Sequence, residues 1–274
     1  MKGDVAQLTV RTLEGYEELT ACSHLQLEVW GETYFDAVPP AILVVVQKIG
    51  GVVGGAFDAS NKLVAFVFGL PGDRNGRHVH WSHMLAVLPE WRGLGVGAML
   101  KAWQKDLVLT QGLTHMHWTY DPLESINAHL NLNRLGALPE EYVLDLYGDG
   151  SSSTLNNVIG TDRFVLVWHL EEADRLAYQA RFAPLGNWHQ APLAVGQAGG
   201  VPFTPPAWPD AAMVRIEIPV SIQEVKAEAP EAARAWRTCT RKAFQHYFGA
   251  GYGVLGFKHD SSTGRSFYAM CRPL

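Results

Sequence analysis

Cysteine is scarce in this 274-residue sequence. Cys22, Cys239 and Cys271 are far apart, form no CxxC pair and are too few for a disulfide framework, a usage that fits a reducing compartment. Long apolar runs are missing too. The longest, at 41–46, falls far short of the roughly 20 residues a helix needs to span a bilayer. The opening MKGDVAQLTVRTLEG reaches Asp4 and Gln7 before any apolar stretch, unlike a secretory signal. Positive charge is in deficit: 22 Lys and Arg face 27 Asp and Glu, a formal charge of −5, which disfavours a general grip on nucleic-acid phosphates. There is no HExxH motif, coiled coil or internal repeat. These absences lead us to expect a soluble, cytoplasmic protein with neither a membrane nor a nucleic acid as partner.

What is present is core material. Hydrophobic residues make up 47% of the chain, with nine Trp, nine Tyr and eleven Phe, enough for a sizeable interior. Up to about residue 170 the pattern alternates strand and helix. Strands are expected at 7–13, 51–58, 63–70, 78–88, 115–120, 142–147 and 163–169, and helices at 16–30, 95–109 and 125–135. Pro39 and Pro40 suit the first turn of another short helix, and Gly136 suits a helix stop. Residues 171–213 then read as a Pro/Gly-rich linker or long excursion, with Pro184, Pro192, Pro202, Pro205, Pro206 and Pro209. Residues 214–274 read as a small α/β unit, a strand, a helix at 230–248 and two strands joined at 260–264. Alone it is small for a stable core, so it is expected to pack on the first domain (1–170) or on a partner subunit.

The most informative segment is RGLGVGAML (92–100), between a strand and an amphipathic helix. Gly93, Gly95 and Gly97 remove side-chain bulk where backbone must approach a ligand. The N–H groups of the turn and of the first helical turn form an anion site, and Arg92 adds a charged donor. It is not a Walker loop, because no Gly-Lys-Ser/Thr follows. A GxGxxG dinucleotide pattern fails as well, since Ala98 and Leu100 stand where glycine is needed. A tight strand–helix connection with glycines for packing is the plainer alternative.

Arg92, Gly95 and Gly97, led in by LAVLPEW (85–91), resemble the Arg/Gln-x-x-Gly-x-Gly/Ala signature of the GCN5-related N-acetyltransferase (GNAT) superfamily. NAHLNLNRLGA (127–137) is similar to that superfamily's second cofactor-side motif, and the order of elements over residues 7–169 resembles its fold. The resemblance implies an α+β fold with a central mixed, largely antiparallel sheet flanked by helices, here with a small α/β C-terminal extension. It implies acetyl-CoA, or another short acyl-CoA such as succinyl-CoA, bound by Arg92, Gly93, Leu94, Gly95, Val96 and Gly97. Backbone contacts at Leu85 and Val87 near Met84, and side chains of Asn127 and Asn133, would complete that binding. WTYDPLESINAHLN (118–131), TDRF (161–164) and residues 236–244 look like a narrower bacterial branch, some of whose members are linked with N-acylamino acid metabolism.

Acyl transfer to an amine also needs a base. His83, on the strand expected to carry the acyl group, has a suitable reference pKa near 6.5, against the plainer account of a structural histidine. Asp121 could act as base or bind the ammonium, or simply cap the next helix. Tyr120 and Tyr147 are candidates to protonate the leaving thiolate, and Glu28 and Glu32 are candidates to shape the acceptor pocket. His78, His80, His115 and His117 would make a zinc site only if their strands brought four rings together; with no nearby cysteine, packing is the expected role and no metal is expected. The expectation is therefore an acyl-CoA N-acyltransferase acting on a small-molecule amine or amino acid, compatible with a homodimer. A CoA-binding regulatory protein without turnover, or a dimeric structural protein, is the alternative.

Overall fold

In the computed structural model, residues 4–32, 34–148, 159–182 and 186–274 are described. The chain divides into two compact units, the first ending at Trp118 and the second beginning at Thr119. Strand β5 runs through that division.

The first unit is built on β1 (Thr9–Thr12), β2 (Val52–Phe57), β3 (Leu63–Arg74), β4 (Arg77–Val87) and β5 (His115–Tyr120), hydrogen-bonded in that order. The pairs are antiparallel except β4–β5, which is parallel, so the sheet is mixed. Both faces of β2 and of the first half of β3 are buried, which explains why those strands are continuous apolar runs rather than alternating ones. Helices α1 (Gly15–Trp30), α2 (Pro40–Lys48) and α3 (Val96–Thr110) pack on this sheet. Pro40 opens α2, where its missing N–H costs nothing. Buried Gln26 ties α1 to the loop before α2, accepting from Val38 N–H at 2.7 Å. Gly54 lets α3 sit close: a Cβ there would lie 2.1 Å from the Trp103 ring.

The second unit contains the β6 (Leu138–Val143) and β7 (Arg163–His169) pair and a five-stranded sheet. That sheet is ordered β11 (Gly253–Asp260), β12 (Arg265–Cys271), β10 (Met213–Ile218), β8 (Leu193–Ala198), β9 (Val201–Phe203). Helices α6 (Ile222–Glu228) and α7 (Pro230–Gly249) complete it. Residues 214–274 pack aromatic side chains against β7. Phe244 of α7 meets Phe164 of β7 at 4.8 Å between ring centroids, and Tyr268 of β12 meets Phe164 at 5.5 Å. The hairpin at 260–264 forms, its turn held by the Asp260 side chain.

The expected strand at 142–147 is instead shifted toward the N-terminus. The strand ends at Val143 because Asp145 takes a left-handed conformation (φ 42°), and its carboxylate accepts from Thr161 N–H and Arg241. Residues 171–213 carry regular structure: helix α5 (Glu172–Gln179) and strands β8 and β9, joined by a turn with Gly199 and Gly200 both at positive φ. Pro184 lies outside the described residues. Trp188 packs on Phe267, and Trp208 stacks on His246 at 5.2 Å.

Candidate active site

The glycine-rich turn forms as the sequence pattern requires. Gly93 and Gly95 have φ of 75° and 86°, and a Cβ on either would meet nothing within 4 Å, so the backbone is open to a ligand. Gly95 is the residue preceding α3 and supplies no side-chain cap. The first helical N–H groups therefore need an acceptor from outside the chain, and the helix dipole favours an anion there. Arg92 is exposed, and its Nε donates to the Val87 carbonyl at 3.0 Å, anchoring the turn to the end of β4.

β4 itself carries the second feature. Phe68 pairs with Met84 but Gly69 pairs with Ser82, leaving His83 as an extra residue, a β-bulge. Gly69 is required opposite it, since a Cβ would stand 2.4 Å from both His80 Nε2 and the Trp81 carbonyl. Pairing between β4 and β5 covers His80 and Trp81; beyond them β4 has no ladder partner on that side among the described residues of this unit. The direction of its free groups follows from one bond. Leu88 N–H donates to the Val64 carbonyl of β3 at 3.0 Å. Alternation by two turns Ala86 and Met84 the same way, so the N–H groups of Leu85 and Val87 point away from β3. The Val87 carbonyl, taken by Arg92, points there too.

The His83 ring is exposed, beside Phe68 at 5.4 Å, and desolvation by surrounding protein lowers its pKa. It is a neutral imidazole at pH 7, able to accept a proton. His83, Leu85, Val87 and residues 92–97 thus belong to one continuous strand–turn–helix segment. Glu28 and Glu32 are exposed on and just past α1.

Buried beneath the bulge is a polar chain that sequence reading missed. Lys101 Nζ, on α3, donates to Ser82 Oγ at 2.8 Å, and Ser82 Oγ donates to Gln104 Oε1 at 2.8 Å. Gln104 Nε2 approaches His80 Nε2 at 3.1 Å, and Lys101 Nζ lies 3.7 Å from the centre of the Trp118 ring. Desolvation brings Lys101 down to about 7. It also brings His80 to about 4, with the Lys101 charge adding to the effect. Lys101 and Gln104, three apart on a helix, are the available signal, and the sequence pattern does not distinguish them from a solvated face. His78, with Asp73, is exposed; His80 belongs to the buried chain; His115 Nε2 sits 2.6 Å from Arg77. These rings serve separate partners.

The remaining site candidates lie in the second unit. Asp121 accepts from Arg237 at 2.5 Å and from Leu123 N–H, which gives its carboxylate the task of holding α7 rather than the freedom of a base. Tyr120 is buried, its hydroxyl 3.1 Å from that of Tyr268, and burial raises its pKa, so it is poorly placed to donate to a thiolate. Tyr147 is exposed, with its hydroxyl 3.0 Å from Thr119 Oγ1. Asn127 is exposed. Asn133 donates to the Phe257 carbonyl at 2.9 Å, a structural bond. It lies in a π-helical turn, His129–Leu135, that follows helix α4 (Ser125–Ala128) and is closed by Gly136 at φ 71°. Burial raises the Cys22 thiol to about 12 and Cys271 to about 11, which leaves both unreactive.

Residues 15–132 match the model of the acetyltransferase (GNAT) family. No curated protein sequence matches the chain. Among solved structures, similarity is found to a putative acetyltransferase of Salmonella typhimurium with its cofactor acetyl-CoA (15% identity, 61% of this chain and 95% of that one, TM-score 0.46). It is also found to the ribosomal-protein-S18-alanine N-acetyltransferase of Escherichia coli (14%, 60% and 94%, 0.46). The ribosomal-protein-S5-alanine acetyltransferase of Vibrio fischeri is likewise similar (16%, 61% and 94%, 0.48).

Proposed function

We propose that this chain acetylates the amine of a small molecule of the amino-acid type, because residues 15–132 match the model of the GNAT acetyltransferase family, whose general chemistry is acetyl-CoA-dependent N-acetylation. The single observation that carries the reading is the stretch of β4 beyond Trp81, unpaired on its outer side among the described residues of this unit, whose Leu85 and Val87 N–H groups lead directly to the open turn at 92–97.

The residues suit a thioester donor with a diphosphate. N–H groups of 92–97, in the turn and the start of α3, hold the diphosphate, and the Arg92 side chain adds charge beside it. The outward N–H groups of Leu85 and Val87 donate to the acyl and pantetheine oxygens, and a donor fixed at the acyl oxygen stabilises negative charge developing there. His83, neutral at pH 7, takes the proton from the attacking amine directly or through water. Acetyl-CoA supplies the activated acyl group. Succinyl-CoA is a second donor worth assaying, since the resemblance implies acetyl-CoA or another short acyl-CoA of this kind.

Thiol release measured with acetyl-CoA and succinyl-CoA against a panel of amino acids and amines tests the proposal. Turnover with free amino acids is expected. CoA binding with no thiol release across the panel would make the chain a binding protein, and turnover confined to peptide N-termini would move the acceptor to proteins. Gly95→Val tests the donor site separately: a folded variant should bind CoA at least tenfold more weakly, and unchanged affinity would remove the diphosphate from this turn.

A further inference from the structure

The buried chain beneath β4 has no part in the chemistry derived above, yet it is an odd thing for a core to contain. Lys101 is 4% exposed, and no carboxylate forms an ion pair with it among the described residues. A buried ammonium without an anion is costly, so evolution keeps one only where an apolar side chain of similar length would do worse at something other than stability.

Its position shows what that is. Ser82, which Lys101 holds, is the residue immediately before the bulge at His83. Gln104, one turn further along α3, holds the same hydroxyl and His80. The Trp118 ring, on the strand that leaves β4 beyond Trp81, lies against the Lys101 ammonium. One side chain therefore touches three things whose relative placement decides where the bulge and the outward N–H of Leu85 stand: α3, β4 and β5. A bulge has fewer ladder bonds than a regular strand, so its conformation needs an external restraint. The hydroxyl of Ser82 cannot be satisfied by β3, because its contacts are Lys101 and Gln104. Donor and acceptor roles are consistent along the whole chain: Lys101 gives to Ser82, Ser82 gives to Gln104, and the Gln104 amide gives to His80 Nε2. His80 then carries its proton on Nδ1, which has no partner among the described residues.

We propose that Lys101, acting through Ser82, is a positioning residue for acyl transfer: it sets the β4 bulge so that the thioester carbonyl meets the outward N–H of Leu85, while diphosphate binding at the turn is left to the backbone. The inference rests on the acyl-CoA reading given above. It separates two parts of one segment that otherwise appear as a single site, a turn that binds and a bulge that polarises.

The test uses the full chain, CoA, and acetyl-CoA labelled with 13C at the thioester carbonyl. Wild-type protein is expected to bind CoA and to shift the labelled carbonyl resonance downfield, the signature of a hydrogen bond to that oxygen. Lys101→Met, which keeps length and removes the donor, should bind CoA within about twofold of wild type, lose most of the carbonyl shift and, with any amine found active, lower kcat at least tenfold at little change in KM for acetyl-CoA. Ser82→Ala serves where Lys101→Met fails to fold; it should give the same separation, and the two together should be no worse than either alone, since one chain is being cut. A carbonyl shift retained in both variants would overturn the inference and leave the function standing. Failure of the wild-type protein to bind CoA would overturn the function and this inference with it.

Discussion

The two units bury charge in opposite ways. In the second, every deeply buried cation singled out has an anion: Arg237 with Asp121, and, across less buried guanidinia, Arg241 with Asp162 and Asp145 and Arg265 with Glu217. In the first, Lys101 lies in the interior on a hydroxyl and an indole face. Paired charges of the first kind join distant parts of the chain, since Arg237 and Asp121 are 116 residues apart in sequence, and their job ends when the fold is made. An unpaired one weakens the fold at the pH where it carries its proton. The difference teaches that buried polarity in the second unit is architecture, while in the first it sits directly under the candidate acyl site.

The largest break in that comparison is Arg237→Met. Burial would lower the Arg237 pKa, but Asp121, by charge and hydrogen bond, more than offsets it and raises it. Removing the guanidinium leaves Asp121 without its short partner and frees the Ile159 carbonyl it also holds. Breaking a buried pair from one side costs about 3–5 kcal/mol. Urea unfolding should show a loss of that size, and a partial return when Asp121→Asn is added. A loss under about 1 kcal/mol would mean the pair does not hold the unit, and the contrast would fall.

Lys101→Met should act in the opposite direction. Burial brings the folded Lys101 to about 7, below the ordinary lysine value of 10.5, so between those values the unfolded chain binds more protons than the folded one. Stability therefore rises with pH through that window and is lowest below about 7, where the folded lysine must also carry its charge. Replacing it removes this penalty. After allowing for the lost hydroxyl bond and cation–π contact, a gain of roughly 2 kcal/mol at pH 6 is expected, shrinking as pH approaches 10. Thermal unfolding at several pH values checks it. A pH-independent loss would show that Lys101 is held by contacts worth more than its desolvation.

Much of this was legible beforehand, and the limits have physical causes. The turn at 92–97 was readable because glycine at positive φ before an amphipathic helix is a local requirement, written in adjacent residues. So were α1, β5 and β7, whose periodicity is unbroken. The end of β6 was not, because Asp145 bends the chain by bonding Thr161 and Arg241, both far away in sequence. Nor was the order within 171–213, where proline and glycine mark turns between short strands rather than a bare linker. In the site, the outward face of Leu85 and Val87 was expected from the resemblance, yet the role of Asp121 depended on Arg237, and Lys101 looked like any lysine on a helix. Side chains whose partners lie a whole domain away leave no pattern for a local reading to find.

The smallest expected effect guards the comparison from the other side. Arg234 and Glu231, one turn apart on α7, also form an ion pair, but both side chains are more than half exposed, 51% and 87%. If pairing as such stabilised the second unit, cutting this bond would matter as cutting Arg237 does. Water already solvates both groups, and holding two long side chains in one geometry costs entropy that the screened attraction barely offsets. Glu231→Gln should therefore change stability by less than about 0.5 kcal/mol, with the small remainder depending on salt and on the lost acidic residue in the first turn of α7. Measured by urea unfolding at low and high salt beside Arg237→Met, the two variants should differ severalfold. A Glu231→Gln loss that rivals the buried variant would show that exposure does not separate the two kinds of pair, and the assignment of Arg237 to architecture would need a different basis.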